Sequence, residues 1–326
     1  YSQRGASGNS HSNNTSVGFN SLYSVTTGSS NSALGVDALE AITTGAGNVA
    51  IGRNALTSLD TGTSNVAIGN DALSSLTGTI VGNVGIGYQA GKALTTGGNN
   101  VTVGFGAGLA MTNNASNVIL GRGAFQTADN GENNNTIIGD YAGRYINNNN
   151  ADHNVLIGNA SGQGGAGELK QCVVIGSLAM DSSGSNAQTG TVAIGYQSLS
   201  ALTDGAKNTA VGYQSGISVT TGFDNTLLGY QAGVHITQAD SNVLIGRESG
   251  ASINLGRRNT IVGDQSNVSA NGAINQIVLG AEATGVQDNS AIIGNSACTD
   301  VFMGDNGSAW STTSDGRLKE NIEEWS

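Results

Sequence analysis

Few residues of this 326-residue chain are of the types that do chemistry, and their spacing keeps them apart. The three histidines, His11, His153 and His235, are too distant in the sequence to form a metal cluster or a catalytic triad. Cys172 and Cys298, the only cysteines, are seven repeats apart. At the usual strand spacing that is roughly 33 Å, whereas a disulfide needs Cα atoms within about 7 Å. The glycine-rich stretches lack the Lys and the strand-to-helix setting of a phosphate loop. Asp and Asn occur at turns, but without the glycine-and-aspartate nonapeptide of calcium-binding rolls. Acidic residues are scattered rather than gathered into a groove, so no enzymatic activity and no cofactor are expected. Tyr196, Tyr213 and Tyr230 each follow a Gly in three successive repeats. Aligned in this way they offer a face to sugar rings or stack on one another and stiffen the molecule, and stacking is the favoured reading.

What positions these residues is an internal repeat, anchored by Asn-Val-Ala-Ile-Gly at Asn48–Gly52 and again at Asn65–Gly69. The closing Gly recurs eighteen times from Gly18 to Gly304, mostly 17 residues apart, with five steps of 18 or 19 and two last steps of 14 and 10. Thirteen of the eighteen units place Asn four residues before this Gly, as Asn208 stands before Gly212. Repetition at this period signals a solenoid, in which each unit buries too little alone and is stabilised by its neighbours. A recurring Asn is expected to stack as a side-chain ladder, here Asn48, Asn65 and Asn208 with Gly52, Gly69 and Gly212. Extra residues in longer units fall after the anchor, in an outer loop where insertion costs little.

Counting Asn as position one, positions two and four share one face of a strand and position three the other. Both faces are mostly apolar, so both need cover. One fills the coil. The other is expected to meet sister chains, and position three is taken as the row they shield. After the Gly, apolar residues recur three apart, as in Leu56 and Leu59 or Leu73 and Leu76. That spacing predicts a single helical turn, with a second strand as the alternative. Thr-Gly pairs such as Thr44-Gly45 and Thr221-Gly222 then reverse the chain.

The net charge of −11 repels phosphate backbones and argues against a nucleic-acid partner. No apolar run approaches the eighteen residues of a membrane span. The chain starts at Tyr1 without Met or a signal-like segment, as expected of a processed product or a fragment.

The anchor resembles the head repeats of trimeric autotransporter adhesins, left-handed parallel β-rolls that trimerise, and the repeats of phage tail fibres. The adhesin heads repeat at a shorter period than this chain does. Near the C-terminus, Ser314-Asp315-Gly316-Arg317-Leu318-Lys319-Glu320-Asn321-Ile322 resembles the start of the intramolecular-chaperone autoprotease domain of endosialidases and tail fibres. The resemblance implies Ser314 as nucleophile, Lys319 as its activating base, and a cut at the Ser314–Asp315 bond. A desolvated Lys can activate a Ser hydroxyl. Only twelve residues follow Ser314, so self-cleavage is not expected within this chain.

The expected fold is mainly β: a parallel β-solenoid, a β-roll or β-helix of about seventeen coils, in a homotrimer. Residues 1–13 form an extension, 14–304 the solenoid shaft, 305–313 a linker and 314–326 the chaperone stub. The expected function is the shaft of a viral tail fibre or receptor-binding protein that mediates host attachment, located in the virion and extracellular. Its partners are its own copies and a host-surface receptor, a glycan among the candidates, with no membrane insertion. A bacterial trimeric surface adhesin and a polysaccharide-degrading tailspike are the alternatives.

Overall fold

The computed structural model describes residues 12–298, apart from 165, 166, 168, 183 and 185–187. The three-residue strands run from Thr15–Val17 to Ala291–Ile293 and form one 17-stranded parallel sheet. Each strand belongs to one repeat and pairs with those of the repeats before and after it. Val49, Ala50 and Ile51 lie opposite Val66, Ala67 and Ile68. The sequence period is therefore the sheet register, and a slip of one residue would turn every buried side chain outward. Longer repeats keep this register, since Val155–Ile157 still faces Val173–Ile175. A short extra pairing, Leu169–Lys170 with Gln188–Thr189, lies beside the insertions.

Position three is the core of the coil itself. Ala50, Ala67, Ile119, Ile137, Leu156 and Leu227 are fully buried. The expectation that sister chains shield this row is thus corrected. The residues after the Gly fold back over it, and Ala55, Leu56 and Leu59 of the same coil are fully buried with it. Positions two and four point outward instead.

The segment after the Gly is neither of the two elements expected from its spacing. Its residues at positions seven and nine are left-handed, with φ 58° at Asn54 and 51° at Leu56, then 58° at Asp71 and 49° at Leu73. With every second residue left-handed, this stretch bonds between coils as well as within one. Asn54 N–H donates to Val36 O at 3.0 Å on one side, and Leu56 N–H to Ala72 O at 3.1 Å on the other. The three-residue spacing marks a tight turn, in which Leu59 N–H donates to Leu56 O at 3.2 Å.

Gly replaces Leu at position nine in Gly143, Gly162, Gly233 and Gly250, where a left-handed backbone suits it. Volume is conserved across the coil at these places. A Cβ on Gly162 would lie 2.9 Å from Leu156 Cδ2, and one on Gly250 2.6 Å from Leu244 Cδ1. Where position three is Ala, as at Ala50 and Ala67, Leu56 and Leu73 fill the same space. Swaps that hold total volume are what a close-packed core tolerates.

Candidate functional site

Position one builds a buried column of amides. The backbone N–H and Nδ2 of Asn48 both donate to Asn31 Oδ1 at 3.0 Å, and Nδ2 also donates to Gly62 O at 2.9 Å. Asn48 Oδ1 accepts in turn from Asn65 N–H at 3.0 Å and Asn65 Nδ2 at 3.1 Å. Asn208 repeats the pattern towards Asn225. Position five must be Gly: a Cβ on Gly52 would sit 2.5 Å from Gly69 O, and one on Gly212 2.2 Å from Gly229 O. Gly69 lies at φ 138°, a region that side chains disfavour.

The column is interrupted at Cys172 and Thr191. The Cys172 thiol donates to Gln188 O at 3.1 Å, and burial pushes its pKa up to about 11, so it stays a neutral, unreactive thiol. Thr191 Oγ1 is buried without a hydrogen-bond partner. Nearby in the same interior, Glu132 is fully buried; its Oε2 accepts from Asn114 Nδ2 at 2.6 Å and Asn130 N–H at 3.0 Å, while Oε1 has no partner. Burial raises the Glu132 pKa above the ordinary carboxylate value.

Outside, position four lines the outer face of the sheet with Val, Ile and Leu, and position two adds mainly Val and Thr, with Ser32, Ile277 and Ala291. At position four, Val17, Leu34, Ile51, Ile68, Leu228 and Val262 are 36–57 % exposed. The face continues from the first strand to the last without a change of register.

Position six, just after the Gly, forms an exposed column of its own. Tyr196, Tyr213 and Tyr230 stack with ring centroids 5.4 and 5.2 Å apart, and Tyr88 stacks on Phe105 at 5.0 Å. The ring ladder read from the sequence is therefore present. Beside the tyrosines, Gln214 Nε2 donates to Gln197 Oε1 and Gln231 Nε2 to Gln214 Oε1. The same column carries ion pairs, Arg122 with Asp140 and Arg247 with Asp264, each made through two guanidinium nitrogens at 2.8–2.9 Å. The Arg122 hydrogen bond holds Asp140 below its ordinary pKa.

Sequence reasoning missed a cluster around Tyr141. The guanidinium carbons of Arg122 and Arg144 lie 4.7 and 4.3 Å from the Tyr141 ring centroid, and Arg144 also lies 5.0 Å from that of Tyr145. The available signal was a gap in a column: position seven is Gly at Gly106 and Gly123, where most other repeats carry Gln, Asn, Asp or Glu, and is Tyr141 in the repeat that follows.

Ser314, Asp315, Lys319 and His11 lie outside the described residues. Among the described residues no three His, Cys, Asp or Glu side chains are grouped to hold a metal ion, and no helix is long and apolar enough to cross a membrane. In comparison with known proteins, the chain matches no family model and no curated protein.

Proposed function

We propose that the protein is the shaft of a fibrous attachment protein, assembled from three copies of the chain around the outer faces of their sheets. The observation that carries this reading is the outer face of the sheet, where position four is Val, Leu or Ile in every strand and position two is Val, Ile or Ala in eleven of the seventeen, the others being Thr or Ser. Sixteen steps between strands at about 4.8 Å, times roughly 10 Å for a three-residue strand, give about 770 Å². Stable interfaces bury about 800 Å² per partner. A face of this size, repeating in register, is matched by another copy of itself.

A trimeric viral tail fibre fits best, because Ser314 to Ile322 resembles the opening of the self-cleaving chaperone of such fibres. On this reading the shaft carries a receptor-binding tip away from the particle, and the chaperone is removed at Ser314–Asp315 after assembly. A bacterial adhesin shaft would use the same solenoid but be followed by a membrane-anchoring barrel. A polysaccharide-cleaving tailspike would turn over host polysaccharide.

Mass in solution tests the assembly: three chains are expected, and a single-chain mass overturns it. The open reading frame, expressed whole with Ser314→Ala, tests the maturation step. The variant should stay uncut where the parent is cleaved. Cleavage of both would remove Ser314 from the role.

A further inference from the structure

The Tyr141 cluster borders a recess of about 360 Å³ lined by Phe105, Arg122, Gly123, Gln126, Tyr141 and Arg144. The recess lies where column seven has no side chain at Gly106 and Gly123, beside Tyr141, which fills that column in the next repeat. A Cβ added at Gly106 would meet nothing within 4 Å, and at Gly123 the Tyr141 ring lies across the backbone, 2.7 Å from where a Cβ would stand. None of the lining residues is on a strand, so packing copies through positions two and four does not use them.

The chemistry of the lining is specific. Its lining includes two guanidinium groups, on a chain whose net charge is −11, and the carboxylate beside it, Asp140, is paired with Arg122. Arg122 spends Nε and one terminal nitrogen on Asp140. Arg144 spends Nε on Gln126 Oε1 at 2.9 Å, a bond that does not use its terminal nitrogens, and its guanidinium carbon lies over Tyr141. A guanidinium with free terminal donors is suited to receive a carboxylate. Phe105, 59 % exposed, supplies an aromatic face at one wall. Its volume is at the lower end of small-molecule sites, about 300–1,000 Å³.

We propose that this recess is a subsite for a carboxylate-bearing pyranose, one unit of an acidic saccharide: the ring lies against Phe105 and its carboxylate meets Arg144. This deepens the attachment reading and rests on it only for where the saccharide comes from. Sugar binding and chain stoichiometry are separate measurements, so either can fail alone.

Saturation-transfer NMR on the full chain tests it, with methyl glucuronoside and its neutral counterpart methyl glucoside at about 10 mM, a regime suited to millimolar affinities. Transfer to the glucuronoside is expected, with the glucoside clearly weaker. Arg144→Gln should weaken the glucuronoside about tenfold, the loss of one charge-assisted contact, and erase the preference for acid over neutral sugar. Phe105→Asn should weaken the glucuronoside through loss of the ring; Asn already occupies this column at Asn70 and Asn159. The proposal is overturned by absence of transfer in the parent, by equal transfer to both sugars, or by binding that survives both substitutions. Displacement of the glucuronoside by an equal concentration of inorganic phosphate would likewise reduce the site to a bare anion contact and overturn the sugar assignment.

Discussion

At the scale of single residues, the amide at position one has every bonding site in use, so removing it strands groups on the next coil. In Asn65→Ala the backbone N–H of Asn83, which donates to Asn65 Oδ1 at 3.0 Å, would be buried without an acceptor. An orphaned donor of this kind costs about 2 kcal/mol, or roughly thirtyfold faster amide exchange where opening is local. Hydrogen exchange at Asn83 is the direct readout, with coils far from it unchanged. Glu132 gives a second case with the opposite sign. Burial raises its folded pKa above the unfolded value, so the folded chain holds the proton more tightly. Its contribution to stability is most favourable below the unfolded pKa and is lost as pH rises through the raised value. Glu132→Gln should therefore raise the melting temperature at neutral pH, and the gain should shrink as the solution is acidified. A gain that did not vary with pH would assign the effect to packing alone.

Within one coil, the strand, the corner and the amide column constrain each other. The break at Cys172 and Thr191 is where that agreement is weakest. By the register of the column, the amide of Thr191→Asn would reach Gly205 O, as Asn48 reaches Gly62 O, and offer an acceptor to Asn208. We expect about 1 kcal/mol of stabilisation, one added buried hydrogen-bond set, seen as a higher melting temperature. An unchanged or lower value would show that the local backbone has diverged from its neighbours. The corner is less forgiving. Gly212→Ala places Cβ against a backbone carbonyl that cannot move without separating the strands, so a loss of 3 kcal/mol or more is expected, read by thermal melting and soluble yield. The strand and the column were legible in the sequence because both follow periods, two residues along the strand and seventeen between coils. The corner was misread. Leu56 and Leu59 have helical spacing, and only the exchange of Leu for Gly at position nine signalled that this backbone is left-handed. Assigning the two strand faces also needed coordinates, since Ala50 and Val49 are both apolar and only the path of the corner decides which is enclosed. The Arg122–Tyr141–Arg144 cluster follows no period, so a repeat-based reading passes over it.

For the whole molecule, the question is what covers the outer sheet face. In the single chain Ile51 and Ile68 are 37 % and 36 % exposed and adjacent across two strands. Ile51→Asp with Ile68→Asp should leave the fold of the chain intact by circular dichroism, because both side chains point away from its core. If the proposed trimer forms, its mass in solution should fall from three chains to one, since burying two unpaired carboxylates per copy outweighs the remaining apolar contact. Retention of the larger mass would move the seam elsewhere on the surface. One further consequence lies in the identity of Asn48–Gly52 and Asn65–Gly69. Adding or removing one whole repeat between such copies would create only junctions of a kind the chain already contains, and would keep the register of the sheet. In the proposed fibre, the reach would thus be a length adjustable in increments of about 4.8 Å, a molecular ruler whose graduations could be added or struck out singly.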